Sequence, residues 1–178
     1  CLPKYKKVSI IYKVSMAYSG KYNVKNRSKY KGDADKVVFR SLWERNAFKW
    51  CDDAKDIIAW SSEEVVIPYF YEVDKKYHRY FMDLKITYKT GKTVLVEIKP
   101  NKETAPPKFN GRKSKRYISE GMTYVKNMNK WAAAQNYAAD RGWGFQIWTE
   151  NELSAMGILP KPKKTIKPLK PLRKPKKK

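Results

Sequence analysis

Cysteine and histidine are almost missing from this chain: it has Cys1, Cys51 and His78, and no other residue of either type, in 178 positions. Two cysteines cannot build a disulfide scaffold, and no CxxC or Cys/His cluster offers a zinc site. That usage leads us to expect a reducing, intracellular setting. A single histidine leaves little room for a Ser-His or Cys-His nucleophile. No apolar run approaches the roughly 20 residues that a helical bilayer span needs, so an integral membrane protein of that kind is excluded. Acidic residues are also scarce, with 17 Asp+Glu against 40 Lys+Arg and a net charge of +23.

A charge of that size attracts polyanions, nucleic acid first among them. Residues 161–178 hold ten of the positive charges and no acid, so residues 1–160 still carry +13 and the excess is global. Hydrophobic residues make up 42%, with 6 Trp, 13 Tyr and 6 Phe, enough for the core of one domain. The opening CLPKYKKVSIIYKVS has an apolar patch (Val8, Ile10, Ile11) too short for a signal-peptide core. Met16 then begins a polar, basic stretch without period, so residues 1–35 read as an extended arm, with 1–15 either upstream of a true start at Met16 or a natural extension. Residues 36–158 form the domain. The last residues, 159–178, repeat Pro and Lys and read as a disordered tail.

Within the domain, Asp35 is placed to cap a helix over 36–52, with Phe39, Trp43, Ala47, Trp50 and Cys51 as its apolar stripe. SSEEVVIPYFYE reads as an edge or bulged strand because of Pro68. RYFMDLKITY and TVLVEIK are two strands joined by KTGK. Residues 113–141 form a long helix stopped by Gly142, with Ile118, Val125, Met128, Trp131 and Ala138 along its stripe. GFQIW is a further strand, and Thr149 with Glu152 is a capping-box pattern opening a last short helix. The order α-β-β-β-α-β-α implies an α/β fold with a mixed sheet covered by helices.

Asp83, Glu97 and Lys99 are the candidate chemistry. Glu97 and Lys99 lie two apart in one strand and share a face. If Lys89, Thr90 and Gly91 form a three-residue loop with Gly91 left-handed, paired residue numbers sum to 180. Met82 then faces Ile98, Leu84 faces Val96 and Ile86 faces Val94, giving one apolar face. On the other, Asp83 lies opposite Glu97 and Phe81 opposite Lys99. Two opposed carboxylates repel unless a cation lies between them, and Mg²⁺ or Mn²⁺ is the fitting occupant. A neighbouring lysine can orient water and stabilise charge on a phosphate in its transition state. The plain alternative is an exposed strand face with ordinary charge alternation.

Asp83 followed by VEIK is similar to the Asp…Glu-x-Lys signature of the restriction-endonuclease-like nucleases, with Met82 where proline is usual. The words FRSLWE, IIAWSSEEVVIPY, HRYFMD, VEIKPNKETAPP and NKWAAAQNYAADRGWGFQIWTE are more specific. Across residues 16–157 they resemble the head-completion nucleases of T-even-like tailed phages, which typically begin MAYSGK. The resemblance implies a metal-dependent DNA nuclease, endo- and exonucleolytic, that trims packaged DNA so that the filled head can join its tail. It places Asp83 and Glu97 as metal and catalytic residues with Lys99 catalytic. Glu44 matches a helix glutamate of related junction resolvases and transposase cutting subunits, and would add a metal or water contact. The implied cofactor is Mg²⁺ or Mn²⁺. The implied partners are DNA and phage head or neck proteins, with neither a membrane nor a small-molecule substrate, and the setting is the virion and the host cytoplasm during assembly. Two other readings are a structural DNA-binding neck protein with a vestigial nuclease fold and a junction-resolving endonuclease.

The remaining candidates rest on charge and position. Lys102, Lys108, Arg112, Lys113, Lys115 and Arg116 form a basic cluster after the site strand, read as a wall for phosphates. Arg79 precedes the Asp83 strand and is a further phosphate contact, with surface solvation as its alternative. Gln135 on the long helix and one of Glu63 and Glu64 at a strand start, Glu64 first, are candidate supports of the site, against the readings of a satisfied helix glutamine and an ordinary strand end. Trp131 and Trp143 read as core. No base-reading motif is present, so sequence-independent cutting is expected.

Overall fold

The computed structural model describes residues 18–160; the expectations for residues 1–15, Met16 and the charge run 161–178 fall outside the described residues. In chain order the elements are β1 (Gly20–Lys21), β2 (Val38–Phe39), α1 (Leu42–Asp53), β3 (Ile57–Ser61), β4 (Val66–Tyr71), β5 (Lys76–Phe81), β6 (Leu84–Tyr88), β7 (Thr93–Ile98), α2 (Lys115–Ala139), β8 (Gly144–Trp148) and α3 (Glu150–Ala155). The central sheet runs β3-β6-β7-β8, with β7 and β8 parallel and the other pairs antiparallel. It is the expected mixed sheet, reached through α2 as the crossover.

Every residue of β7 is buried, as a central strand covered on both faces must be. One face packs Leu84, Ile86, Val94, Val96 and Ile98 with Phe48, Cys51, Trp60, Trp148 and Leu153 from the surrounding elements. The opposite face carries Leu95 beneath Ala134 and Ala138 of α2 and the inner residues Ile67, Tyr69, Tyr71 and Tyr80 of the β4–β5 hairpin. Along α2, Trp131 and Ala138 are buried, whereas Ile118 and Met128 of the expected stripe are exposed. Gly142 ends the run beyond α2 in the left-handed region, φ 66°.

Several expectations need correction. Asp35 is not the cap of the first helix; it pairs with Arg27, and Val38–Phe39 pair as a strand before Ser41 caps α1 by accepting from the Glu44 N–H. The β-branched pair Val37–Val38 favours extended backbone there, which delays the helix. The first strand of the sheet is Ile57–Ser61, while SSEEVVIPYFYE supplies the hairpin instead. Residues 18–35 are no loose arm either. Tyr22, Val24 and Tyr30 are buried in the core, Tyr30 sits edge-on to Trp60, and the buried Asp52 accepts from Tyr22 Oη–H and from the Lys25 and Asn26 N–H groups. At the other end Leu159, inside the range expected to be tail, packs on the core.

The β6–β7 hairpin has the expected register: Leu84 faces Val96 and Ile86 faces Val94, with Gly91 at φ 82° in the loop. The register ends at Leu84. RYFMDLKITY is not one strand but two, because the chain changes partners at Met82–Asp83. Phe81 pairs with Val66, the Met82 N–H donates to Val65 O, and Leu84 pairs with Val96. Phe81 therefore does not face Lys99, and Met82 packs in the α2 layer rather than beside Ile98.

Candidate active site

The partner change at Met82–Asp83 takes Asp83 out of the ladder and frees it to reach across. Its Oδ2 accepts a 2.7 Å hydrogen bond from the Ile98 N–H, in the strand that carries Glu97. Glu97 is only 2% exposed. A carboxylate that deep is costly unless charged and polar donors compensate it. Two do: Lys99 Nζ lies 3.1 Å from Oε1, and the Tyr80 hydroxyl donates to Oε2 at 2.6 Å. Lys99 keeps 24% of its side chain exposed, so it forms the site's solvent-facing side.

The electrostatics show crowding of negative charge. Burial, and next the Glu97 charge, push the Asp83 carboxyl well above its ordinary range; Glu44 adds to this, and the Ile98 bond and Lys99 oppose it. Burial disfavours the Lys99 ammonium, but Glu97 and Asp83 outweigh it and hold Lys99 above the usual lysine value. The Tyr80 phenol is driven strongly upward by burial and by Glu97, so it stays a donor. Glu44 approaches this field from α1. Its two oxygens are already used at the helix start, accepting from Ser41 Oγ–H and from the Arg40 N–H, and burial raises it.

Asp83 and Glu97 fit a hard divalent cation as donors: Asp83 lies in the field of Glu97, and burial, with the Glu97 charge next, keeps it protonation-prone. Mg²⁺ commonly takes one or two protein carboxylates and fills its remaining positions with water and substrate phosphate. Among the described residues no group of three His, Cys, Asp or Glu is arranged to ligate together, so Glu44 stands outside this pair.

The other candidates separate by place. Gln135 is exposed on α2. Glu64 packs against Gly32 and lines a separate hollow with Lys31, Ser61 and Lys85. Arg79 is exposed on β5, its guanidinium 5.6 Å from the Phe81 ring. Lys102, Lys108, Arg112, Lys113, Lys115 and Arg116 are all exposed, with Arg116 paired to Glu120. Lys115 and Arg116 sit in the first turn of α2, where the helix dipole disfavours cations. Trp131 is buried and Trp143 half-buried under Lys85, in line with the core reading of both.

Two contributors, Tyr80 and Lys130, escaped the sequence reading, and Glu63 was legible only as one of two acids at a strand start. Tyr80 was legible in principle: it alternates inward with Met82, and a buried tyrosine hydroxyl needs a partner. Lys130 of α2 lies 4.9 Å from the Tyr80 ring centroid, half-buried. Burial lowers it below the usual lysine range against the pull of Glu97. Glu63 takes a left-handed φ of 56° beside the partner change, donates its N–H to Met82 O and pairs with Arg40. No periodicity marks Lys130.

The family model described as TnsA-like endonuclease N terminal matches residues 54–150. That span holds Asp83, Glu97, Lys99 and Tyr80, and excludes Glu44. The head completion nuclease of Enterobacteria phage T4 is 47% identical over 147 residues, covering 80% of this chain and 98% of that protein. With over half of the chain matched by the family model and a relative aligned along nearly its whole length, the chain belongs to the restriction-endonuclease-like TnsA-type family and, within it, to the phage head-completion nucleases.

Proposed function

We propose that the chain is a divalent-metal-dependent DNA nuclease, cutting without sequence preference, internally or from ends, during phage head completion. The observation that carries this reading is the convergence of Asp83 and Glu97 with Lys99 Nζ on Glu97 Oε1. A neutral scaffold would not hold two acids together at that cost.

Asp83 and Glu97 would hold Mg²⁺ or Mn²⁺. Such an ion supplies a polarised phosphate and a water of lowered pKa. The chain's own groups do the rest. The Ile98 N–H fixes the Asp83 carboxylate, and Tyr80 fixes Glu97, so neither acid has to reorganise when a phosphate arrives. Lys99, charged and half-buried, stabilises negative charge growing on the scissile phosphate, and its proton can pass to the departing oxygen. The exposed basic residues from Lys102 to Arg116 hold the flanking phosphates without reading bases.

The T4 relative's name supports a place in head completion, with trimming of packaged DNA as the task and head or neck proteins as partners. Incubating the purified full chain with supercoiled, linear and branched DNA in Mg²⁺, Mn²⁺ or EDTA tests the chemistry. Cleavage with either metal and none in EDTA is expected. No cleavage of any substrate in either metal overturns the reading and leaves a structural DNA-binding role.

A further inference from the structure

The β4–β5 hairpin has two unlike faces. Its inner face, with Ile67, Tyr69, Tyr71 and Tyr80, packs beneath α2 and holds Glu97 through the Tyr80 hydroxyl. Its outer face pairs Val66 with Phe81, Pro68 with Arg79 and Phe70 with Tyr77. All six are exposed, Tyr77 by 77%, Phe81 by 44% and Phe70 by 41%. Exposed aromatics in such a row are unusual on a monomeric surface and mark a contact.

The row's chemistry selects the partner. It carries one cation and no acid: Arg79 lies over Phe81, and Phe70 and Tyr77 meet edge to face at 5.4 Å. Aromatic rings spaced along a strand with a guanidinium between them are what unpaired bases and their phosphates bind. The six residues of β5 span about 20 Å, enough for a few successive bases. The row ends close to the site along the chain: Phe81 stands two residues before Asp83. A paired duplex keeps its base faces stacked inside and cannot use these rings.

We propose that the outer face of the β4–β5 hairpin is a stacking platform for unpaired bases, leading a single-stranded DNA segment into the Asp83–Glu97 centre. The inference rests on the nuclease reading of that centre and names its substrate: DNA with a frayed, tailed or gapped strand next to the bond to be cut.

Binding of the full chain, measured in EDTA by fluorescence anisotropy, tests it without cleavage. The probes are one duplex with a thymidine tail, in either polarity, the same duplex with an abasic tail, and the blunt duplex. The thymidine-tailed duplex is expected to bind at least tenfold tighter than the abasic-tailed one, because only bases stack. The variants Tyr77→Ala and Phe81→Ala together should bring it down to the abasic level. Equal affinity of the wild-type chain for the two tails overturns the platform whatever the variants do. So does a double variant that keeps full tail affinity and fails only in virion assembly, which assigns the face to a protein partner. Cleavage of linear DNA with Mg²⁺ is followed in parallel. Base-dependent tail binding without any cleavage keeps the platform and removes the nuclease reading, whereas cleavage with equal tail affinities removes the platform alone.

Discussion

The Tyr80 hydroxyl reaches Glu97 Oε2 at 2.6 Å from a strand that has no ladder with the sheet to which Glu97 belongs. One hydrogen bond thus ties the hairpin layer to the central strand at the site itself. Tyr80→Phe keeps the ring and removes the donor. The buried carboxylate then loses half of its compensation, which costs about 1–3 kcal/mol of stability. Residues that orient a metal-binding acid are each worth about 10–100-fold in affinity or activity. Thermal melts and cleavage rates across a Mg²⁺ titration should show both losses. A variant with wild-type melting and metal response would separate Tyr80 from the site.

Asp83 predicts a stability effect of opposite sign. Its carboxyl is raised by burial first and by Glu97 second, so the fold prefers it protonated. That contribution is complete below the ordinary value of 3.8 and is lost as pH rises through the raised value. Asp83→Asn keeps an oxygen for the Ile98 N–H and removes the repulsion. In EDTA at neutral pH the variant should be more stable than the wild type by on the order of 0.5–1 kcal/mol, a gain that disappears in acid. It should cut no DNA. Mg²⁺ should raise the melting temperature of the wild type and not of the variant. A destabilised Asp83→Asn at neutral pH would contradict the crowding of the two acids.

The register of β6 and β7 was legible because three signals agree: the Gly91 turn, the alternation of Leu84 and Ile86, and the apolar run from Val94 to Ile98. The partner change at Met82–Asp83 was not. RYFMDLKITY alternates apart from Phe81, and nothing local says that its two halves pair with different strands. For the same reason Met82 was assigned to the wrong layer. The segment before α1 hid its burial differently. Tyr22 and Val24 alternate over too few residues to read as a strand, and Tyr30 stands apart from them; Tyr22 and Tyr30 are fixed by Asp52 and Trp60, about thirty residues away in sequence. Lys130 shows the limit for a site. A lysine on a long helix reads as solvated unless the tyrosine beneath it is known.

Lys99 is the charge that keeps Glu97 tolerable, so its removal should be felt before any DNA is added. Lys99→Ala leaves Glu97 with Tyr80 alone, and breaking such a buried pair costs about 3 kcal/mol or more. A divalent cation in the site offsets part of that loss, so the variant should regain stability on adding Mg²⁺ by a larger margin than the wild type does. Cleavage should fall steeply even at saturating metal, because no proton donor replaces the ammonium. Lys99→Arg should not rescue the rate: a guanidinium is larger and gives up no proton. Calorimetric melts with and without Mg²⁺, set beside single-turnover rates, separate the two roles.

The last prediction concerns the ten positive charges of residues 161–178. Leu159 packs on the core and its N–H bonds to Leu153 O, so a truncation that spares the fold must start after Pro160. The segment holds no acid, histidine or cysteine and hence no ligand for a hard metal ion. Its chemistry is counterion release alone: each phosphate that a lysine or arginine neutralises steepens the dependence of affinity on salt by about 0.9 in the log–log slope. Deleting residues 161–178 should therefore weaken DNA binding most at low salt and flatten that slope by several units. The cleavage rate at saturating DNA should hold, because bond breaking belongs to Asp83, Glu97 and Lys99. Affinities of the full and truncated chains for one duplex, measured from low to physiological salt, decide the matter. Equal slopes, with truncation harmful only to virion assembly, would move these charges from DNA to a partner of the filled head.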